Sequence, residues 1–162
     1  MLLAIIADTH LPRGKRQLPE SCVRRLKRAD LIVHAGDFSA PAVLDELRSY
    51  GEVVAVHGNV DHREVRAALA ETTQFTADGA TIAVIHDAGP RTGRLNRLRR
   101  RFPDADVVIF GHSHIPLHER SPDGFQIFNP GSPTERRRSP HHTMGLARAS
   151  DGAVSFEIVN LD

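Results

Sequence analysis

The 162-residue sequence predicts an α/β fold in which two β-sheets lie face to face and are flanked by helices. Three observations indicate this class. Short apolar runs recur along the chain, and most of them end abruptly in polar residues and glycine. Amphipathic helical patterns separate these runs in the first two thirds of the chain. The last third has no helical pattern and instead carries two hairpin signals.

Five apolar runs predict strands that are buried on both faces, because short β-branched segments are typical of the interior of a parallel sheet. These runs cover residues 2–7, 31–33, 53–56, 80–85 and 107–110. A polar segment with a histidine or a glycine follows each of them.

Four segments between the runs predict helices, at residues 19–29, 40–50, 62–70 and 93–102. Apolar side chains recur at helical spacing in each segment, as Val43, Leu44 and Leu47 do in the second. Because strands and helices alternate, we expect a largely parallel sheet in the first half of the chain.

The last third predicts two hairpins, with strands at residues 117–120 and 125–128 and at residues 145–149 and 154–159. The intervening residues 129–142 hold three prolines and a run of three arginines, which is typical of a loop. We expect a single domain over residues 1–162.

The composition excludes several classes of protein. The apolar fraction of 40% is that of an ordinary folded protein. The net charge is only +1, which does not indicate a stable nucleic-acid partner. No apolar run approaches the ~20 residues of a membrane-spanning helix, so we expect no membrane partner. The single cysteine, Cys22, excludes an internal disulfide and favours a reducing compartment, so we expect a cytoplasmic location.

Side chains that can bind a metal follow all five apolar runs. They are Asp8, His10, Asp37, Asn59, His86, His112 and His114. Ligands of open α/β sheets bind beyond the carboxyl ends of the strands, so these seven donors can converge. Imidazole, carboxylate and amide donors without a thiolate suit divalent first-row metals better than magnesium. Seven donors exceed the about four of one tetrahedral zinc, which predicts two ions bridged by one carboxylate.

In order along the chain, these motifs resemble those of the calcineurin-like metallophosphoesterases, and in particular the small bacterial and archaeal phosphodiesterase branch. The motifs are Asp8-x-His10, Gly36-Asp37, Gly58-Asn59-x-Asp61, His86, Gly111-His112-x-His114 and Asn129-Pro130-Gly131-Ser132. The resemblance implies a sandwich of two mixed sheets flanked by helices. It assigns Asp8, His10, Asp37 and His114 to a first metal, and Asp37, as the bridge, Asn59, His86 and His112 to a second.

The resemblance implies a metal-dependent phosphohydrolase, with a phosphodiesterase as the first hypothesis and a small phosphodiester as the substrate. A metal-bridging hydroxide would be the nucleophile, so no protein nucleophile is needed. We expect two divalent ions, manganese first and iron, nickel, cobalt or zinc as alternatives. A phosphomonoesterase using the same site, a non-catalytic metal-binding scaffold of the same fold and a nuclease are the other hypotheses. Small relatives often form homo-oligomers, which the resemblance extends to this chain.

Two positions depart from the family pattern. Val60 stands where many relatives carry a histidine that assists the leaving group, and His62 is the candidate auxiliary residue in its place. The second histidine of the His86 motif is absent. Asp87 follows His86 either as a ligand, as a partner of a ligand or with a purely structural role. Asn59 and one arginine of the run 136–138, with Arg136 as the first choice, are the candidate contacts to substrate phosphate. Asp61 is expected to orient the Asn59 loop or to cap the next helix.

Overall fold

The computed structural model describes residues 1–162 and contains two five-stranded sheets that pack face to face, with four helices on their outer faces. The strands are β1 (Leu2–Ile6), β2 (Leu31–His34), β3 (Val53–Ala55), β4 (Thr72–Ala77), β5 (Ala80–Ile85), β6 (Val107–Ile109), β7 (Leu117–Arg120), β8 (Gln126–Asn129), β9 (Thr143–Ser150) and β10 (Ala153–Asn160). The helices are α1 (Glu20–Leu26), α2 (Pro41–Tyr50), α3 (Arg63–Ala68) and α4 (Arg94–Arg101).

The first sheet has the strand order β10-β9-β1-β2-β3, and the second has the order β4-β5-β6-β8-β7. Strands β1, β2 and β3 run parallel, as do β5, β6 and β8, while the remaining pairs are antiparallel. Both sheets are therefore mixed, and the predicted fold class is confirmed.

Alternation along the strands divides the apolar side chains among three layers. On β1, Leu3 and Ile5 face the second sheet and pack in the core between the sheets. Ala4 and Ile6 point the opposite way, into a core beneath α1, α2 and α3. A third core joins α4, through Leu98, to the outer face of the second sheet. Burial on both faces explains why β1 carries an uninterrupted apolar run.

The strand β4 was not predicted from the sequence. β4 pairs antiparallel with β5 through a tight turn at Asp78 and Gly79, both of which have positive φ angles of 45° and 86°. An Asp-Gly pair between two strand-forming segments is a strong hairpin signal. The strand itself carries three threonines and a glutamine instead of an apolar run, because it is the edge of its sheet and is only partly buried.

The predicted helices are longer than the observed ones, and the ends of α1 and α3 lie inside the predicted segments 19–29 and 62–70. β3 is half-buried, so the prediction that it is buried on both faces is wrong. Its position at the edge of the first sheet is the physical reason.

None of the helices has the length and apolar character that crossing a membrane requires.

Candidate metal centre

The strands β1, β2, β3, β5 and β6 deliver their carboxyl ends to one edge of the sandwich, and the predicted donors lie in the loops directly after them. Five of these donors have a positive φ, a conformation that residues other than glycine rarely adopt. They are Asp8 (55°), His10 (47°), Asp37 (63°), His112 (71°) and His114 (60°). Such backbone conformations cluster at functional sites, where the surrounding structure enforces them.

Close packing of these loops requires glycine at two positions. A Cβ atom on Gly58 would lie 2.0 Å from Asp37 Oδ1, and one on Gly36 would lie 2.8 Å from His86 Nδ1. Both distances are shorter than atoms tolerate. The Gly-Asp and Gly-Asn motifs therefore reflect how closely the loops approach one another.

Asp8, His10 and His114 form a buried set of donors, here called the first group, whose ligand atoms lie within 4.8 Å of one another. The Nε2 atoms of His10 and His114 are 3.2 Å apart, and Asp8 Oδ1 is 3.5 Å from His114 Nε2. The Nδ1 atom of His114 donates to the carbonyl oxygen of Glu135, which leaves Nε2 with its lone pair directed at the group.

Asp37, His86 and His112 form the second group, and their ligand atoms also lie within 4.8 Å of one another. His86 Nε2 is 3.1 Å from Asp37 Oδ2 and 3.3 Å from His112 Nδ1. The side-chain oxygen of Asn59 joins this group at 3.1 Å from His86 Nε2. As in the first group, the other ring nitrogen of His86 is held by a carbonyl, that of Ala35 at 2.7 Å.

The carboxylate of Asp37 connects the two groups. Its Oδ2 atom lies 3.1 Å from His86 Nε2 and 3.8 Å from His10 Nε2. Its Oδ1 atom accepts a hydrogen bond from the Val60 amide at 3.1 Å. One carboxylate oxygen therefore faces donors of both groups, as the predicted bridging role requires.

The residues present fit a pair of divalent cations. Asp8 Oδ2 accepts from the His112 amide at 2.9 Å, but the fully buried Asp8 Oδ1 has no hydrogen-bond partner. Burying a carboxylate oxygen without a partner is costly, and a coordinated cation removes that cost. The donor set of imidazole nitrogens and oxygens is also the one preferred by divalent first-row metals.

Burial strongly shifts the pKa values of the side chains in the first group. It raises the pKa of Asp8 from 3.8 to about 7, and it lowers the pKa of His114 from 6.5 to about 4. Burial also lowers the pKa of His10. The two histidines of this group are therefore neutral near pH 7, which is the form that binds metal.

In the second group, neighbouring charges and a hydrogen bond outweigh the effect of burial on the pKa values. Burial disfavours the charged form of His86, but its hydrogen bond to Asp37 and the charges of Asp8 and Asp37 outweigh this effect and raise its pKa. Burial alone would raise the pKa of Asp37, yet the hydrogen bond and charge of His86 hold it below its usual value. These two side chains thus stabilise each other as an ion pair, and a divalent cation would replace the proton.

Asp61 orients the loops that carry the second group. Its carboxylate accepts hydrogen bonds from the amides of Asp37 (3.0 Å), Ser39 (2.8 Å) and Gly58 (2.6 Å). No side chain caps the start of α3. Of the two roles predicted for Asp61, the structure therefore favours the orienting one.

The segment that begins with Asn129 supports the first group. Ser132 Oγ donates to the carbonyl of Asp8 at 2.8 Å, and Thr134 Oγ1 donates to that of Thr9 at 2.7 Å. The Asn129 amide donates to the Gly111 carbonyl at 2.9 Å. This motif therefore fixes the loops that present Asp8 and the two histidines after β6.

Sequence reasoning missed Glu135 as a charged residue of the site, and it included Arg137 only as one member of the arginine run. Glu135 places Oε2 3.9 Å from His10 Nε2 and forms ion pairs with Arg13 (3.5 Å) and Arg16 (3.3 Å). The positive charge of Arg137 acts on Asp8, His10 and His114, opposing the charged form of both histidines. The arginine run was the only signal for Arg137, and nothing in the sequence distinguished Glu135.

Three candidate residues do not join the two groups. The guanidinium of Arg136 donates to the Pro140 carbonyl within its own loop, at 2.8 Å. His62 is exposed at the start of α3. The carboxylate of Asp87 accepts from the amide of Gly89 at 2.8 Å, which gives it a local structural contact. The roles predicted for Arg136 and His62 stay predictions.

A cavity of about 330 Å³ opens beside the second group. Asn59 and His86 form one side of it, and His57 and Arg66 contribute further polar surface. Its volume lies at the lower end of the range typical of small-molecule sites, about 300–1,000 Å³. Only one hydrophobic side chain lines it, so it is suited to a small polar ligand.

Comparison with known proteins identifies relatives of the whole fold. Residues 1–152 match the model of the calcineurin-like phosphoesterase superfamily domain. A probable metallophosphoesterase of Methanothermobacter thermautotrophicus is 33% identical over 161 residues, which cover 98% of this chain and 92% of that protein.

Two solved structures share the fold. Vps29 of Entamoeba histolytica complexed with Zn²⁺ superposes with a TM-score of 0.78 at 24% identity and covers 100% of both chains. A novel archaeal phosphodiesterase superposes with a TM-score of 0.73 at 19% identity, over 98% of this chain and 100% of that one. At these identities the two structures establish the architecture alone.

Proposed function

The chain belongs to the calcineurin-like phosphoesterase superfamily, and on that basis we propose that it is a metal-dependent phosphodiesterase with a dinuclear centre. Its motif resemblance to the superfamily is confirmed by the family match. The observation that carries the proposal is the pair of donor groups that face each other across one oxygen of Asp37.

The first ion would be held by Asp8, His10, Asp37 and His114, and the second by Asp37, Asn59, His86 and His112. Two divalent ions supply a water of lowered pKa and electrostatic stabilisation of the phosphoryl oxygens. The carbonyls of Ala35 and Glu135 keep His86 and His114 oriented, because each holds the ring nitrogen that points away from the group. We propose manganese as the first candidate metal.

The charge of the centre supports a diester substrate. Two divalent ions (+4) less the carboxylates of Asp8 and Asp37 (−2) leave about +2, which an anionic nucleophile reduces to about +1. This matches the single negative charge of a phosphodiester. The archaeal phosphodiesterase of the same fold adds support to this choice over a monoester.

We place the substrate's ester group in the cavity beside the second group. Arg66 lines this cavity and forms no ion pair with Glu71 and Asp87, which also line it, so its guanidinium is available to the phosphate or to a polar substituent. Asn59 lines the cavity, and its side-chain oxygen lies 3.1 Å from His86 Nε2, so it can contact both substrate and metal. The proposed substrate is therefore a small polar phosphodiester.

The single thiol of Cys22, fully buried, supports the further proposal of a cytoplasmic location.

The test compares the hydrolysis of bis(p-nitrophenyl) phosphate and p-nitrophenyl phosphate by protein stripped with a chelator and then given manganese. We expect turnover of the diester to exceed that of the monoester and to return only with metal. Faster monoester turnover would move the function to a phosphomonoesterase. Two bound metals without turnover of either ester would favour a non-catalytic metal-binding scaffold.

A further inference from the structure

A groove lined by arginines lies where β1 begins, at the edge of the first sheet opposite to the metal centre. Its volume is about 450 Å³, and its lining consists of Leu2, Arg24, Arg25, Arg28, Leu146 and Arg148. Leu2 opens β1 and Asp8 follows its end, so at ~3.3 Å per residue the groove is about 20 Å from the donor groups. The proposed function makes no use of these residues.

The strand register explains why the arginines converge. Leu2 on β1 is paired with Arg148 on β9, so their side chains lie next to each other on the same face of the sheet. This is the outer face, because Ala4 of β1 packs there in the core with Cys22 of α1. The last turn of α1 and the residues after it then place Arg24, Arg25 and Arg28 beside Arg148.

The positive charge of the groove is only partly neutralised. No acidic side chain lines it. Arg24 pairs with the exposed Glu20 at 3.0 Å, and Arg25 donates to the carbonyl of Ser21 at 2.8 Å. The guanidinium groups of Arg28 and Arg148 have neither an ion pair nor a hydrogen bond. Asp30 lies at the margin of the groove, where its carboxylate accepts from the Leu2 amide at 2.6 Å. Four arginines less the carboxylates of Glu20 and Asp30 leave about +2 in a chain whose net charge is only +1.

We propose that this groove binds a small molecule that carries a chain of two or more phosphoryl groups. Guanidinium groups match phosphate oxygens in a bidentate geometry, and unpaired arginines from two different elements can hold successive phosphoryl groups. Leu2 and Leu146 provide a small apolar floor for the remainder of the ligand. Arg148 also lines two further cavities, of about 260 and 550 Å³, but Glu157 lines the first and Asp106 and Asp123 line the second, so the unopposed positive charge is confined to the groove.

A nucleic acid is the less suitable ligand for this groove. Proteins that hold single strands combine positive charge with aromatic side chains on which the bases stack. No aromatic side chain lines the groove, and the chain has no tryptophan and one tyrosine. The groove can therefore bind phosphate groups, but it has no side chains that would recognise bases.

The experiment is a calorimetric titration of the full chain with inorganic tripolyphosphate, at low salt and after removal of metals by a chelator. Circular dichroism of the same sample checks that the chain is folded. The groove variant is R28Q/R148Q, which removes the two unpaired arginines. The matched control is R91Q/R100Q, which removes two exposed arginines without ion pairs elsewhere on the surface.

We expect the wild-type chain to bind tripolyphosphate, the groove variant to bind it at least about tenfold more weakly, and the control to stay within about twofold. Absence of binding by the wild type, or equal losses in both double variants, would overturn the proposal. Inorganic phosphate binding as tightly as tripolyphosphate would refute the requirement for linked phosphoryl groups. Tighter, groove-dependent binding of a single-stranded oligonucleotide would replace the proposed ligand with a nucleic acid.

Discussion

The two donor groups of the metal centre differ in their exposure to solvent. Asp8, His10 and His114 are buried, and burial dominates the pKa values of all three. In the second group His112 is exposed, and Asn59 beside it lines an open cavity. All three members of the first group are thus buried, whereas the second group combines the buried Asp37 and His86 with His112, which faces the solution from which a substrate arrives.

This difference suggests a division of labour between the two ions. A buried site with neutral imidazoles and an unpartnered carboxylate oxygen favours tight retention of a cation. An exposed site next to a polar cavity favours contact with substrate. The shared Asp37 links the two metal sites. The variants described below test the contributions of the two groups separately and together.

The largest effect is expected from D37A, because this carboxylate faces both groups. We predict loss of both ions and a fall in diester hydrolysis of at least about 10³-fold. Metal analysis and kcat/KM measure the two outcomes. The control D45A removes an exposed carboxylate on α2 and should leave both unchanged. A D37A protein with two metals and full activity would refute the shared role.

The next effect concerns the buried carboxyl of Asp8 in the metal-free protein. Its pKa is raised by burial from 3.8 to about 7, so the folded state holds a proton that the unfolded state has already lost. The stability contributed by this group therefore falls as the pH rises from about 4 to about 7. D8N removes the charge, and we predict that it stabilises the metal-free protein at pH 8 by on the order of 1–4 kcal/mol.

Urea unfolding at pH 4 and pH 8, in the presence of a chelator, measures this effect. At pH 4 the variant and the wild type should be nearly equal. With metal present the order at pH 8 should reverse, because D8N lacks the anionic ligand. Lower stability of metal-free D8N at both pH values would contradict the account.

A third comparison separates the two groups directly. H114A and H112A should each lose one ion, but only H114A should destabilise the fold. His114 is fully buried and bonded to the partly buried carbonyl of Glu135, so its removal leaves that carbonyl unpaired and opens space in the interior, at a cost of ~1–3 kcal/mol. His112 is exposed, and its removal should cost less than about 0.5 kcal/mol. Equal destabilisation of the metal-free variants would remove the distinction between the groups.

The smallest effect is expected at the exposed edge of the second group. Val60 follows Asn59 and is 47% exposed, so a histidine there can reach a leaving group without disturbing the core. V60H should raise the turnover of a diester with an alkyl leaving group by about tenfold, below the usual range of general acid catalysis. Bis(p-nitrophenyl) phosphate should respond little, because its leaving group needs no proton.

H62A should lower the turnover of the same alkyl diester by less than about twofold. A larger loss of turnover would support the auxiliary role predicted for His62.

Much of the fold and the positions of the candidate ligands could be predicted from the sequence. Runs such as Leu2–Ile6 are buried on both faces, so their composition alone indicates strands. The rule that strand ends meet at one edge then brings Asp8 and His112 together across more than a hundred residues. β4 was missed because an edge strand needs no apolar run, although Asp78-Gly79 signalled its turn.

The remainder of the site depends on loop conformation. Glu135 and Arg137 come near the first group because the segment that carries them is attached to the loop after β1, through the hydrogen bonds of Ser132 and Thr134. Neither position carries a periodic pattern or a motif that reveals this path. For the same reason sequence reasoning chose Arg136, whose guanidinium bonds within its own loop.

The central claim is that two ions occupy two groups that share Asp37. Anomalous diffraction from crystals of the manganese-loaded protein tests it most directly. We predict two peaks ~3.5–4 Å apart, one among Asp8, His10 and His114 and one among Asp37, His86 and His112. A single peak in crystals of fully active protein, or ions bound elsewhere, would contradict the account.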